Sequence, residues 1–205
     1  EGALNLIDAD YLSQRSKRLE QSNLLRGSLL NPCIGVLIGG NSRKFSIAAR
    51  DIIELSGQIK KSAEELNADL LISTSRRTSA EAEQAVKDEF AVYARCKLLV
   101  IANESNNPDV VGGVLGLSGI IICSPESISM VSEAVTAEKY VIVYESSGLS
   151  RKHRDFLKSY LGKGYIYLKE IKDLAGAIGE VWVNKPKINA PEDNLKVIAA
   201  LNKIL

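Results

Sequence analysis

The residues best suited to hold a phosphorylated ligand form one run, Ser127-Ile128-Ser129-Met130-Val131-Ser132-Glu133-Ala134, behind the apolar stretch Ile120 to Cys123. This order predicts a strand end, a hydroxyl-rich helix start and one carboxylate further along the helix. The four leading N–H groups of a helix have no partners within it, and the helix dipole favours negative charge there, so the start suits a phosphate. Glu133 lies six residues beyond Ser127, a rise of ~9 Å at helical pitch. That is roughly the distance from the diphosphate to the ribose hydroxyls of a nucleotide lying along the helix. The pattern therefore points to a nucleotide diphosphate site with Glu133 accepting from the sugar. An ordinary N-cap at Ser127 and a solvated helical glutamate at Glu133 account for the same residues equally well.

Positioning such a helix requires a scaffold, and the rest of the chain reads as one. Apolar runs predict strands at Ile34 to Ile38, Asp69 to Ser73, Leu98 to Ala102, Ile120 to Cys123, Val141 to Tyr144 and Tyr165 to Leu168. Helical patterns alternate with them over Ile47 to Leu66, Ala80 to Ala94, Asp109 to Leu117, Ile128 to Ala137, Arg151 to Tyr160 and Ile171 to Ile178. A capping box, Thr78-Ser79-Ala80-Glu81, supports the second boundary. Strands that are apolar throughout are those covered on both faces of a parallel sheet, and six such units in series predict an α/β, doubly wound, Rossmann-like fold. The basic amphipathic stretch Asp10 to Arg26 and a terminal helix over Glu192 to Leu205, after the Pro186 and Pro191 breaks, fall outside that core. The expected division is a linker and helix over 1–30, the Rossmann-like domain over 31–185 and a helix packing outside the core over 186–205.

Ligands of an open parallel sheet bind beyond the carboxyl ends of the strands, which directs attention to three further loops. Gly39-Gly40-Asn41-Ser42-Arg43 offers paired glycines that let a backbone approach a phosphate and allow positive φ, although a plain turn explains them equally. Ser73-Thr74-Ser75-Arg76-Arg77 brings two guanidiniums that can neutralise a diphosphate, or that sit as a solvated edge. Asn103 to Asp109, with Asn107 at its centre, is a polar turn whose backbone can frame a base.

Composition closes off other classes. A formal net charge of +1 over 205 residues gives no electrostatic basis for nucleic-acid binding. No stretch approaches the ~18 apolar residues of a membrane helix, and no secretory signal is visible, so a cytoplasmic location is expected. Cys33, Cys96 and Cys123 lie at unrelated spacings beside apolar runs, as buried reduced thiols do. His153, the one histidine, sits among Arg151, Lys152 and Arg154 and builds neither a metal site nor a Ser-His-Asp arrangement. No metal is expected, and no catalytic base is identified. The chain begins at Glu1 rather than Met and reads as a piece of a longer protein.

Taken together, Gly35 to Gly40, Ser73 to Thr78, Asn107-Pro108 and the Ser127 to Ala134 run resemble the carboxy-terminal half of the bacterial and plant family named after a plant mitochondrial-fission protein. Gly2-Ala3-Leu4-Asn5 resembles that family's junction between its two halves. The family in turn is similar to GT-B glycosyltransferases, whose second domain binds a nucleotide sugar. The Ser127 to Glu133 stretch also looks like the segment of the lipid-linked peptidoglycan N-acetylglucosaminyltransferase that holds diphosphate at a helix start and ribose through a glutamate. The resemblance implies Glu133 as ribose ligand and Ser127, Ser129, Gly39 and Gly40 as phosphate-side contacts, with Asn41, Ser42, Ser75, Arg76, Arg77, Asn107 and Met130 in the same loops. Three positions depart from the family pattern. Glu126 replaces an Asp, Leu117-Ser118-Gly119 replaces Trp-Ala-Asp, and Asp109 replaces an aromatic residue.

The expectation is the donor domain of a GT-B-like, metal-independent glycosyltransferase that takes a nucleotide diphosphate sugar as substrate and needs no cofactor. Its acceptor domain, and any peripheral membrane association through that domain, would lie outside this chain, leaving the piece inactive alone. Arg76, Arg77 and the helix amides would stabilise the departing diphosphate. Two alternatives stand beside this one. A non-catalytic recruitment module keeping the fold is one. A nucleotide-sugar epimerase is the other, against which the lone histidine and the lack of a Ser-Gly-Gly turn before Glu133 weigh.

Overall fold

A computed structural model describes residues 2, 3, 5, 7–41 and 45–191. Ser42, Arg43 and the expected terminal helix over Glu192 to Leu205 lie outside the described residues. Six strands, β1 (Cys33–Ile38), β2 (Asp69–Thr74), β3 (Cys96–Val100), β4 (Ile120–Cys123), β5 (Tyr140–Tyr144) and β6 (Tyr167–Lys169), form one sheet in the order β3-β2-β1-β4-β5-β6. Every recorded pairing is parallel. The helices are α1 (Ala9–Glu20), α2 (Ala49–Glu65), α3 (Ala80–Phe90), α4 (Val110–Leu117), α5 (Ile128–Thr136), α6 (Arg151–Gly162) and α7 (Leu174–Asn184). This is the doubly wound order expected from the alternating pattern, with its topological switch between β1 and β4.

Burial explains why the strand runs were readable. β1, β2 and β4 are buried at every position, as strands covered on both faces must be. The edges differ: β3 alternates between buried and half-buried, and β6 is half-buried throughout. The strand expected over Leu98 to Ala102 sits two residues earlier, because the Ala102 amide leaves the ladder and donates to Thr74 Oγ1 at 2.9 Å. The boundary of α3 is as expected but its cap is not a box. Ser79 alone accepts from Ala82 N, while Thr78 turns inward, donates to the Gly39 carbonyl at 2.6 Å and accepts from Ser75 N at 3.0 Å.

The basic stretch expected outside the core is α1, which packs along α4. Three glycines of α4 make room for it: a Cβ at Gly112 would press on Arg15 and Tyr11, one at Gly113 on Leu19, and one at Gly116 on Ser16. Asp109, just before α4, receives Arg15 and lies 3.6 Å from Arg18 Nη1. The leading segment docks on α5, with Ala3 N donating to Ser132 Oγ at 3.0 Å and Asn5 Nδ2 to Thr136 Oγ1 at 3.1 Å.

Candidate nucleotide site at the sheet switch point

Parallel pairing brings the carboxyl ends of all six strands to one edge, and there the loops are bonded to one another. Gly39 N donates to Ser124 Oγ at 2.8 Å, and Ser124 Oγ also meets Tyr144 Oη at 2.8 Å. Gly40 N donates to Glu126 Oε1 at 2.7 Å, and Asn41 N to the Arg77 carbonyl at 2.8 Å. Asn103 Nδ2 reaches the Thr78 carbonyl and Glu83 Oε1. The loops after β1, β2, β3 and β4 are thus one hydrogen-bonded unit built around the switch point.

The paired glycines have a different reason from the one expected. Neither has a positive φ, and both amides are engaged within the protein rather than directed at a ligand. A Cβ on Gly39 would overlap Glu126 Oε1, and one on Gly40 would overlap the Arg77 backbone. Close approach of loop to loop requires glycine at both positions.

Ser127 is the N-cap of α5 in extended conformation, and its side chain makes no capping hydrogen bond. The leading amides of α5 therefore lack the side-chain acceptor that an ordinary N-cap supplies. Ser127 is buried, Ser129 exposed and Met130 half-buried. Glu133 is half-buried, and among the described residues no hydrogen bond or ion pair to its carboxylate is recorded; burial raises its pKa. At helical spacing Ser129, Met130 and Glu133 share a face, while Val131, Ser132, Ala134 and Val135 of the same helix are buried.

Arg76 and Arg77 are exposed in the turn after β2, and no ion pair engages either among the described residues. Ser75 is occupied within that turn, its Oγ accepting from Arg77 N at 3.1 Å. Asn107 Oδ1 accepts from Asp109 N at 2.8 Å, in the loop between β3 and α4. His153 meets Ser150 Oγ at 2.6 Å through Nδ1, at the N-cap of α6. The three thiols are free and buried, and burial pushes Cys33 up to about 12 and Cys96 to about 11. A recess of about 420 Å³ bounded by Glu20, Leu25 and Leu29 lies where the chain enters the amino ends of β1 and β3, and takes no part in this edge.

Glu126 is the residue that reading for a ligand passed over. It is 3% exposed, its Oε2 has no hydrogen-bond partner among the described residues, and its pKa is pushed up to about 7, foremost by burial and against the pull of its own amide, Gly40 N–H and Arg77. The available signal was a carboxylate placed between an all-apolar strand and a helix start, where water is scarce.

Strand order and switch-point loops define a Rossmann-like domain of the GT-B kind. A family model described as mitochondrial fission ELM1 matches residues 1–188, and the chain belongs to that family. An uncharacterized protein, RP120, of Rickettsia prowazekii (strain Madrid E) is 30% identical over 158 residues, 77% of this chain and 43% of the relative. Among solved structures, UDP-GlcNAc 2-epimerase from Neisseria meningitidis bound to UDP-GlcNAc is similar at a TM-score of 0.63 and 12% identity, over 95% of this chain and 50% of that one. The NMR structure of ALG13 is similar at 0.54 and 12% identity, over 81% of this chain and 92% of that one. A UDP-forming α,α-trehalose-phosphate synthase from Burkholderia vietnamiensis follows at 0.51 and 10% identity, over 85% and 42%. At such identities the likeness is one of fold. The chain spans half or less of the Rickettsia relative and of the epimerase.

Proposed function

We propose that this domain binds a nucleotide diphosphate sugar as the donor half of a GT-B-like glycosyltransferase. The diphosphate lies on the leading amides of α5 beside Arg76 and Arg77, and the ribose hydroxyls donate to Glu133. The observation that carries this reading is Glu133, a half-buried carboxylate with no recorded partner, on the face of a helix whose N-cap side chain leaves the leading amides uncapped. Desolvating a carboxylate without pairing it is unfavourable, so a site that retains one is consistent with a donor arriving from outside. Two exposed guanidiniums at the same edge supply charge-assisted bonds to a leaving diphosphate and stabilise the charge that develops there. The solved neighbours named for UDP-GlcNAc and for UDP formation add the donor class.

The test is calorimetric titration with UDP-GlcNAc, and with GDP-, ADP- and CDP-sugars in parallel, of the wild type and Glu133→Gln. Glutamine keeps the shape and loses charge-assisted bonds, which carry ~1.5 to 3 kcal/mol against about half that for neutral ones. Affinity should fall roughly tenfold, since 1.4 kcal/mol is one decade, while unfolding stability moves by less than about 0.5 kcal/mol. Equal affinities would remove Glu133 from the site. The family's description in terms of mitochondrial fission favours a second reading, a recruitment module that keeps the fold without turnover. On that reading no nucleotide sugar binds.

A further inference from the structure

Glu126 is sealed between two loops that the donor would touch. Its Oε1 accepts Gly40 N at 2.7 Å and packs where Gly39 has no side chain, while Oε2 is buried with no side-chain hydrogen-bond partner among the described residues. It immediately precedes Ser127, the N-cap of α5, so an anion held by the leading amides of that helix lies beside it. Charged and titratable groups face it from each neighbouring element among the described residues. Arg77 approaches from the loop after β2, Cys123 and Tyr144 lie toward it on β4 and β5, Glu133 stands with it near Cys123, and Asp51 of α2 reaches the field at Tyr144. Of these only Arg77 is a cation, and it is exposed. Among the described residues, an ionised Glu126 and a bound diphosphate therefore repel each other with only the exposed guanidiniums of the loop after β2 as countercharge.

We propose that the donor site takes up one proton at the Glu126 carboxyl as it takes up a nucleoside diphosphate group, so that the Glu126 proton and the ligand bind together. The inference rests on the donor-site reading above and adds its pH dependence. In the free protein burial already pushes the carboxyl up to about 7, which brings its protonation into the neutral range. Negative charge at the α5 start raises that value further. Binding is then strongest, and independent of this group, below pH 7. Above it affinity falls by up to ~10-fold per pH unit, the limit for uptake of one proton, until the ligand-bound value is passed.

UDP-GlcNAc is the probe, because its diphosphate carries no terminal phosphate titrating at about 6 as phosphomonoesters do. Isotherms of the wild type and Glu126→Gln are recorded from pH 6 to 9 in buffers of differing ionisation enthalpy, and the Glu126 carboxyl is titrated directly by carbon-13 NMR with and without ligand. The expected result is a wild-type midpoint near 7 that moves up on ligand addition, uptake approaching one proton above pH 7, and a flat affinity profile for Glu126→Gln. Binding that is equally pH-independent in both proteins, or a carboxyl midpoint near 4, overturns the proposal and leaves the donor reading standing. Absence of binding of UDP-GlcNAc and of the GDP-, ADP- and CDP-sugars at every pH sinks the donor reading and this inference with it, a result distinguishable from a flat profile; where one of the other sugars binds instead, it takes the place of UDP-GlcNAc as probe. Should Glu126→Gln fold poorly, the NMR midpoints and proton counts of the wild type decide alone.

Discussion

Glu126 and Glu133 are seven residues apart, flank the same helix start and are both raised by burial, yet they answer to different surroundings. Glu133 stands half-open on α5, whereas Glu126 is closed over by Gly39, Gly40 and its own strand end. The difference has a thermodynamic consequence that needs no ligand. The folded carboxyl of Glu126 titrates at about 7 against 4.5 for the free group, so between those values the unfolded chain holds fewer protons than the folded one. Stability from this group is then greatest at low pH, falls as pH rises from 4.5 to 7, and levels off above 7. At 1.36 kcal/mol per unit the whole difference is about 3 kcal/mol. Urea unfolding at pH 5 and pH 8 should show Glu126→Gln gaining about 2 to 3 kcal/mol on the wild type over that interval, because glutamine keeps the Gly40 bond and carries no charge. Parallel curves would mean that water or a cation reaches the carboxyl.

At the scale of elements, the same substitution should act with opposite sign in two helices. A Cβ at Gly113 of α4 would lie 2.7 Å from Leu19 Cβ and 3.2 Å from the Arg15 carbonyl, so alanine there must push α1 off α4. Overpacking of this kind costs roughly 1 to 3 kcal/mol. Gly176, exposed within α7, has nothing within 4 Å of its would-be Cβ, and alanine there should stabilise by roughly 0.5 to 1 kcal/mol through helix propensity. Denaturant midpoints of the two variants check both signs, and a stable Gly113→Ala would show α1 to be loosely seated. Elements of this domain were legible where chemistry is local. Unbroken apolar runs marked β1, β2 and β4 because burial on both faces leaves no polar positions. The capping box failed because Thr78 answers to the Gly39 carbonyl, 39 residues away in sequence, and the destination of α1 was unreadable because its Asp109 contact spans 94 residues.

For the whole molecule, parallel winding alone gathers the loops after β1, β2 and β4 on one edge, and for that reason the candidate site could be outlined from strand ends before any distance was known. Its interior could not. That Gly39 and Gly40 close on Glu126 and Arg77, rather than open toward a ligand, depends on β1 and β4 being neighbours, a fact of topology that no local pattern carries. Ala3 and Asn5 of the leading segment are bonded to Ser132 and Thr136 of α5, and Glu133 lies between those two in sequence. On the donor-half reading, transfer needs an acceptor held against the sugar, and such positioning accounts for roughly 7 to 11 kcal/mol of barrier reduction in favourable cases. In a GT-B arrangement the acceptor surface belongs to the other half, and this chain spans 43% of its Rickettsia relative. The 205 residues should therefore bind the donor with wild-type affinity and give at most slow hydrolysis, with no sugar transfer. The longer family protein should transfer and lose that activity with Glu133→Gln. Product analysis by mass spectrometry, with the same donor and a panel of acceptors offered to both lengths, decides it: transfer by the 205 residues unaided would show that the acceptor surface lies within them and would end the two-half reading.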